Sequence, residues 1–587
     1  MTENGSSQEG HIHDVLIIGA GPGGLAVAAR LREPLPGAQF TSDEHQRYHW
    51  IRKHGRHAMA IKNRRSGAIE APSSRSSRSS QREHFHADIY MLVLDEEGDE
   101  WMTRWNRLFK AFGIHTLRSP MFFHVDPGDR DGLLAYAYMQ GREGELTEIG
   151  GVVGKELSKH QRKKRMGKRS IYAPSNPVVD ERERNDYFRP STPLFHSHCT
   201  DVKDRYHLGN SLVNQASVQD IVYDFSPLHP ESDKIFTVTS DKGTQYARIV
   251  VLAVGPANKP CIPGLSPEDR MEGACHTMHI RSFPSSIVKD RIKARIPTSV
   301  LIVGGGLTSA QIAEKAVASG ISTVYLIMRG PVKVKHFDMD LDWVGKFRNQ
   351  KQAAFWSADS HSERLDMYLR ARDGGSMNPT YKRIVEKLGE SGRLSLMTFT
   401  TIASKVWDSS SQQWTVTVST RMPRPEPKAG TVLDGEQEMK PIEETMMLPP
   451  IDYIYFATGV ETNYTTLPFL QSMNRNYPIP SAGGYPCITD DMMWRKDVPM
   501  FVTGRLAALQ LGPGAPNLIG CRTGAERIAW NILEILSGGK TGSEDRHEVE
   551  SRTRPGRGDE AYADREFSYR TGRGNMFESL EQGDSDE

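Results

Sequence analysis

Twice in this chain a short, wholly apolar run leads at once into a glycine-rich turn and then into a helical pattern of small residues, and the two copies stand 304 − 19 = 285 residues apart. The first is Val15-Leu16-Ile17-Ile18 followed by Gly19-Ala20-Gly21-Pro22-Gly23-Gly24 and a helix to about Arg32. The second is Val300-Leu301-Ile302-Val303 followed by Gly304-Gly305-Gly306-Leu307-Thr308-Ser309 and a helix through about Ser319. An uncharged run of this length suits a parallel strand covered on both faces. The separation is too large for a short repeat array and suits two separate nucleotide-binding domains. With 587 residues the chain has room for two or three domains.

The turn chemistry says what such domains hold. A pyrophosphate needs close backbone approach and N–H donors at a helix start. Gly19 permits the tight turn, Gly21 leaves room for the phosphates, and Gly24 lets helix and strand pack closely. About 20 residues further on stand Asp43 and Glu44, where a carboxylate would accept from a ribose hydroxyl; the spacing selects Glu44. In the second copy Ser309 replaces the third glycine, and the run Thr323 to Met328 ends in Arg329 instead of an acid. A guanidinium there pairs with a 2′-phosphate that a carboxylate would repel, so Gly304, Gly306, Ser309 and Arg329 read as an NADPH site. Lys333 and Lys335 are placed to add charge to it.

Strand-like runs at 235–239, 249–254, 414–418, 451–457 and 500–503 place the two glycine units in different sheets. Two dinucleotides of different preference in one chain suggest that NADPH gives a hydride to a flavin held by the first site, so the expected fold class is α/β, with two Rossmann-like domains and the NADPH domain inserted in the FAD domain. Residues 10–295 form the first part of the FAD domain, 296–450 the NADPH domain, 451–540 the return, and 541–587 a disordered tail. Ala253-Val254-Gly255-Pro256 and Ala457-Thr458-Gly459 are the crossings; each sets a glycine after a buried strand, where the backbone must turn or a ligand must come close. Residues 64–82 carry seven Ser and five Arg, and residues 155–169 carry eight Lys or Arg against one acid. Both read as solvated insertions.

Composition excludes several alternatives. The 74 Lys and Arg balance 73 Asp and Glu, so no global field draws the chain to nucleic acid or anionic lipid. Five scattered cysteines, none spaced as C-x-x-C, speak against a disulfide framework and a dithiol oxidoreductase. The N-terminus lacks the layout of a secretion signal, and no run of about 18 uncharged apolar residues occurs, so the expected location is cytoplasmic, with no membrane span. His196-Ser197-His198-Cys199 lacks a second ligand pair, and no metal site is assigned. Trp101, Trp105 and Phe109 have the spacing of a core-facing helix stripe. No side chain is nominated as catalytic acid, base or nucleophile.

The order of the two glycine motifs and the late Asp452-Tyr453-Ile454-Tyr455-Phe456-Ala457-Thr458-Gly459 resembles the two-dinucleotide-binding flavoproteins. It is most similar to the class B flavin monooxygenases and their ornithine and lysine N-hydroxylase branch, over roughly residues 12 to 535. The resemblance implies FAD at Gly19, Gly21 and Gly24, NADPH at the second motif, and a C4a-hydroperoxyflavin that passes one oxygen atom to a nitrogen of a small amine or amino acid. It implies molecular oxygen and a small-molecule substrate as partners, leaves self-association into a homo-oligomer open, and puts Tyr48-His49-Trp50 against the isoalloxazine. Phe501 to Ile519, with Gly504 and Asn517, looks like the return to the flavin, where a helix start would stabilise negative charge. By family position Asn378 is a nicotinamide or substrate contact, and as an Asn before Pro it is equally an ordinary turn.

Three departures stand out. Val460 follows the A-T-G, where the N-hydroxylases carry an aromatic residue or His; Gly504-Arg505 replaces Gly-Asp; and Met271 to His276 does not match the Baeyer-Villiger fingerprint. Two rival readings accompany the monooxygenase: a flavin-dependent NADPH oxidase or reductase using another acceptor, and a non-catalytic FAD-binding regulatory protein.

Overall fold

A computed structural model describes residues 11–33, 61–62, 69–70, 89–153 except 129, 184, 186–226, 233–255, 259–264, 272–345, 348–422 and 442–536. Trp50, Asp43 and Glu44, the basic run 155–169 and the tail 541–587 lie outside these, as does 64–82 apart from a two-residue strand, Ile69–Glu70.

In chain order the main elements are β1 (Ile12–Ile18), α1 (Pro22–Arg32), β2 (Met91–Asp95), α2 (Thr103–Phe112), α3 (Thr192–Arg205), β3 (Val213–Gln215), β4 (Val218–Asp224), β5 (Ile235–Ser240) and β6 (Gly243–Leu252). There follow β7 (Ala274–His276), β8 (Ser299–Val303), α4 (Leu307–Ala318), β9 (Thr323–Ile327), α5 (Arg348–Trp356), α6 (His361–Arg372), α7 (Pro379–Glu390) and β10 (Leu394–Met397). The last are β11 (Thr400–Asp408), β12 (Gln413–Met422), β13 (Ile442–Met447), β14 (Tyr453–Phe456), β15 (Met493–Arg495), β16 (Val498–Val502) and α8 (Leu518–Leu536). Further helices and short strands lie between them.

The first sheet runs β15-β16-β6-β1-β2-β3, with the antiparallel pair β4 and β5 continuing from β6. Its centre is parallel: β1 lies between β6 and β2. Val15, Leu16 and Ile17 are fully buried there, which is why the run carries no polar alternation. Helix α1 is buried along nearly its whole length against the sheet and α8.

The second sheet runs β7-β14-β8-β9-β10, all parallel, with β8 central. A separate three-stranded antiparallel sheet, β11-β12-β13, packs Trp414, Val416 and Val418 onto it.

The domain limits differ from the sequence reading. β7 begins at Ala274, well before residue 296, and β14 extends past 451, yet both belong to the second sheet. A three-residue strand carries too little pattern to be recognised, and an apolar strand such as β14 fits either sheet until its partners are known. The chain leaves the first sheet after β6 and regains it at β15 and β16, so Ala253-Val254-Gly255 follow the last strand before it leaves and Ala457-Thr458-Gly459 follow the last strand of the second sheet.

Candidate functional site: two cradles with one backbone plan

At the end of β1 the chain turns so sharply that two glycines are obligatory. Gly19 has φ +110°, and a Cβ on it would lie 2.5 Å from the Ala253 carbonyl oxygen. A Cβ on Gly24 would lie 2.0 Å from the Gly19 carbonyl oxygen. Gly21 instead faces open space, with nothing within 4 Å of a Cβ position. The loop is held by Gly19 N–H donating to Leu94 O (2.8 Å) and Ala253 N–H donating to Ile18 O (2.8 Å). Ala20 N–H donates to the Asp95 carboxylate at 2.7 Å.

Asp43 and Glu44 lie outside the described residues, and the acid described at this turn is Asp95. Both flanks of β1 are filled, by β6 and by β2, so the acid at the end of the neighbouring strand is Asp95, with Glu96 exposed beside it. Residues 33–90 lie between α1 and β2, so Asp95 stands far beyond the spacing that pointed to Glu44.

The second turn repeats the plan residue for residue. Gly304 has φ +147°, and its Cβ would lie 2.4 Å from the Ala457 carbonyl oxygen. Gly304 N–H donates to Ile327 O (2.9 Å) and Ala457 N–H to Val303 O (2.8 Å). Gly306 is nearly as open as Gly21, its closest neighbour being the Gly375 Cα at 3.8 Å from a Cβ position. Ser309, fully buried, donates its hydroxyl to Gly306 O at 2.7 Å.

Beyond the shared frame the side chains diverge. Met328 takes the place of Asp95, and Arg329 that of Glu96. Arg329 is exposed and, among the described residues, has no ion-pair partner. Lys333 and Lys335 are not free to join it: Lys333 pairs with Asp373 at 2.7 Å and Lys335 with Asp340 at 2.8 Å.

The return segment closes the first cradle. Gly23 faces Thr503 and Cys521, each 3.7 Å from a Cβ position, so the ends of β16 and α8 meet the glycine turn. The Thr503 hydroxyl oxygen is buried and has no hydrogen-bond partner among the described residues. Gly504 (φ +70°) and Gly459 (φ +77°) both face open space. Arg505 bridges the halves by donating to Val460 O at 3.4 Å and to Thr462 Oγ1 at 2.5 Å.

Asn517 is tied to the second half. Its amide nitrogen donates to Asp338 Oδ1 at 2.8 Å, so the side chain is engaged by a carboxylate of the second half. Asn378 caps α7, its Oδ1 accepting from Tyr381 N–H at 2.9 Å, as its place before Pro379 dictates. Trp101 is buried, and Trp105 stacks on Phe109 at a centroid separation of 4.4 Å, both packed on the core.

The densest buried charge cluster lies elsewhere, between α3 and the segment before Gly132. Asp126 accepts from Arg205 at 2.7 Å, and His198 stands 3.8 Å from the same oxygen. Burial opposes the Asp126 charge, but Arg205 and His198 hold its pKa well below the carboxylate range. Burial, then Arg522 and His198, push His124 down to about 3; its Nδ1 accepts from Asp126 N–H and its Nε2 faces Arg130 O, the pattern of a neutral imidazole. Cys199 in α3 is pushed up by burial. Among the described residues no group of three or more His, Cys, Asp or Glu is arranged to hold a metal ion, and no helix is long and apolar enough to cross a membrane.

Sequence reading missed Asp95, Arg118 and Asp338. Asp95 was legible as the acid ending the apolar run Met91 to Leu94. Arg118 and Asp338 carry no local signal, because their partners are distant in the chain.

No protein-family model matches the chain, and no curated protein matches it. Solved structures do. An ornithine N-hydroxylase of Kutzneria sp. 744, determined with reduced FAD, NADP+ and L-ornithine, superposes with a TM-score of 0.54 at 14% identity, covering 90% of this chain and 100% of that one. The ornithine hydroxylase of Pseudomonas aeruginosa gives 0.52 at 16% identity, over 90% and 100% of the two chains. An FAD-bound cadaverine monooxygenase of Erwinia amylovora gives 0.52 at 14%, over 89% and 94%. The chain therefore has the two-Rossmann fold of the N-hydroxylating flavin monooxygenases.

Proposed function

We propose that this protein is an FAD- and NADPH-dependent monooxygenase that hydroxylates a nitrogen of a small amine or amino acid. The observation carrying the proposal is the pair of cradles with one backbone plan and opposite charge at the end of the second strand, Asp95 and Glu96 in one, Met328 and Arg329 in the other.

The residues present fit the two coenzymes. Gly21, Gly459 and Gly504 leave open space where a ligand would pass, and the Thr503 hydroxyl is an orphaned buried group at the edge of the first cradle. Gly19, Gly21, Gly24, Thr503 and Gly504 would hold FAD, with the Asp95 carboxylate at the ribose end. Gly304, Gly306, Ser309 and Arg329 would hold NADPH, the guanidinium selecting the 2′-phosphate. When bound, the coenzymes supply two electrons to oxygen, one of whose atoms goes to the substrate nitrogen while the other leaves as water.

The chain's own part is to bind, orient and exclude water. The helix starts at Pro22 and Leu307 direct N–H donors at the phosphates. No described side chain near the glycine turns is arranged as a nucleophile with its base, which fits chemistry carried by the coenzyme.

The test is oxidation of NADPH by FAD-loaded protein with ornithine, lysine, cadaverine and other amines, the product being sought by mass as amine plus one oxygen atom. Hydroxylated amine in proportion to NADPH supports the proposal. Peroxide in that proportion with every amine would replace it with an oxidase. Tight FAD binding without NADPH turnover would replace it with the regulatory reading.

A further inference from the structure

Between the cradles lies a buried polar joint centred on Arg118. Its guanidinium donates to five acceptors of the second half: His336 O (3.1 Å), Lys335 O (2.8 Å), Phe337 O, Ser376 O (3.2 Å) and Ser376 Oγ (3.0 Å). The two segments it gathers are already paired, Lys335 N–H to Met377 O and Met377 N–H to Lys333 O, both at 3.0 Å. One of them touches the second cradle, since a Cβ on Gly375 would lie 3.2 Å from the Gly306 Cα.

The other continues into Asp338. That carboxylate binds Arg372 at 2.9 Å and Asn517 at 2.8 Å, and Arg372 donates to Pro513 O at 3.1 Å. Pro513 and Asn517 precede α8, whose Cys521 faces Gly23 of the first cradle. A line of polar contacts thus links the two halves, and van der Waals contacts at its ends, Gly375 on Gly306 and Cys521 on Gly23, carry it to the two glycine turns.

We infer that Arg118 is a positioning residue that sets the second cradle against the first, fixing how the reduced nicotinamide meets the flavin. The inference rests on the two-coenzyme reading. The argument is geometric. Hydride transfer is steeply sensitive to the separation of the reacting atoms, and an error of about 1 Å costs on the order of 100-fold. A planar fork with five N–H groups can hold two segments in one register, whereas a lysine ammonium, as a point charge, cannot.

The test compares wild type with Arg118→Ala and Arg118→Lys, each as the full chain loaded with FAD. Flavin bleaching by saturating NADPH without oxygen should slow about 10- to 100-fold in Arg118→Ala. The lysine variant should fall between, and added guanidinium should restore part of the rate. FAD occupancy and bleaching by dithionite should not change. Hydrogen exchange without any nucleotide gives an independent readout: the amides of Lys335 and Met377 should exchange faster in Arg118→Ala, with β1 and β2 unaffected.

A wild-type bleaching rate, or unchanged exchange at Lys335 and Met377, overturns the inference. Should Arg118→Ala fail to fold, Ser376→Ala and Asn517→Ala test the same joint; each should slow bleaching several-fold, and wild-type rates in both would overturn it. If wild type itself is not bleached by NADPH, the functional proposal fails while the exchange result still judges the joint.

Discussion

In the first cradle the turn is so close that Gly24 has no space for a side chain, whereas the same position of the second holds Ser309, whose hydroxyl bonds back to Gly306. The first turn carries a carboxylate, Asp95, bonded to its second residue, where the second has Met328 and then an exposed Arg329. What is common to both is backbone: the same two loop hydrogen bonds, the same glycine at positive φ, the same carbonyl, Ala253 or Ala457, closing behind it. On the proposed reading the frame would hold a phosphate, and the side chains at its edge would choose the coenzyme. Evolution of specificity then needs few substitutions, since the backbone donors are indifferent to which dinucleotide arrives.

The harshest way to break the comparison is Gly24→Ser. It installs the second cradle's residue where a Cβ would sit 2.0 Å from a backbone oxygen, and the expected overpacking cost is about 3 kcal/mol. Flavin retention after gel filtration should be lost; retention at the wild-type level would mean that the two helices stand equally far from their strands.

Next in size is Arg329→Ala. Loss of a charge-assisted contact worth about 1.5 to 3 kcal/mol predicts NADPH binding weakened roughly 10- to 150-fold. NADH binding should hold, and titration calorimetry with both nucleotides checks this. Equal loss for both would remove the phosphate assignment.

Ser309→Gly is the mild reciprocal of the first change. It removes one hydrogen bond and adds helix flexibility, together about 1 kcal/mol, seen as a small fall in the urea midpoint with FAD content intact. A loss as large as that from Gly24→Ser would show that Ser309 does more than fill its place.

Over the narrow range from pH 7 to 5.5 the effect of pH is comparably small, about 1 kcal/mol for one histidine, and it separates the glycine turns from the buried cluster. Burial, then Arg522 and His198, hold the folded pKa of His124 at about 3, so between about 6.5 and 3 the unfolded chain binds the extra proton. Stability should therefore fall as pH drops through that window, by up to about 1.4 kcal/mol per pH unit. His276, held at about 4 by burial and then by His279, adds in the same direction. Replacing His124 with Asn should flatten, not abolish, the dependence of the urea midpoint between pH 7 and 5.5. An unchanged slope would place the acid sensitivity elsewhere.

Legibility followed the range of the interactions. Gly19, Gly24 and Gly304 could be read because the constraint that selects them arises within one strand and turn. Arg329 could be read because it ends the strand that follows its own helix. Asp95, legible as the acid ending an apolar run, stands too far along the chain from the first glycine motif for the usual spacing to point to it. The bond between Asn517 and Asp338 could not be read, because the two lie 179 residues apart in the chain. The limits of the second half were misjudged at β7 and β14 for the same reason: strand pairing is a relation between segments, and an apolar run does not name its neighbour.

By itself, then, the sequence determined that there are two glycine turns, how each is shaped, and where charge differs at their edges. All of these are set by local backbone geometry and by side chains within one supersecondary unit. Only the tertiary structure decided which carboxylate flanks the first turn, which sheet owns β14, and how Arg118 and Asp338 tie the halves together. Those outcomes depend on hydrogen bonds and buried charges that exist only once distant segments share a space sealed from water.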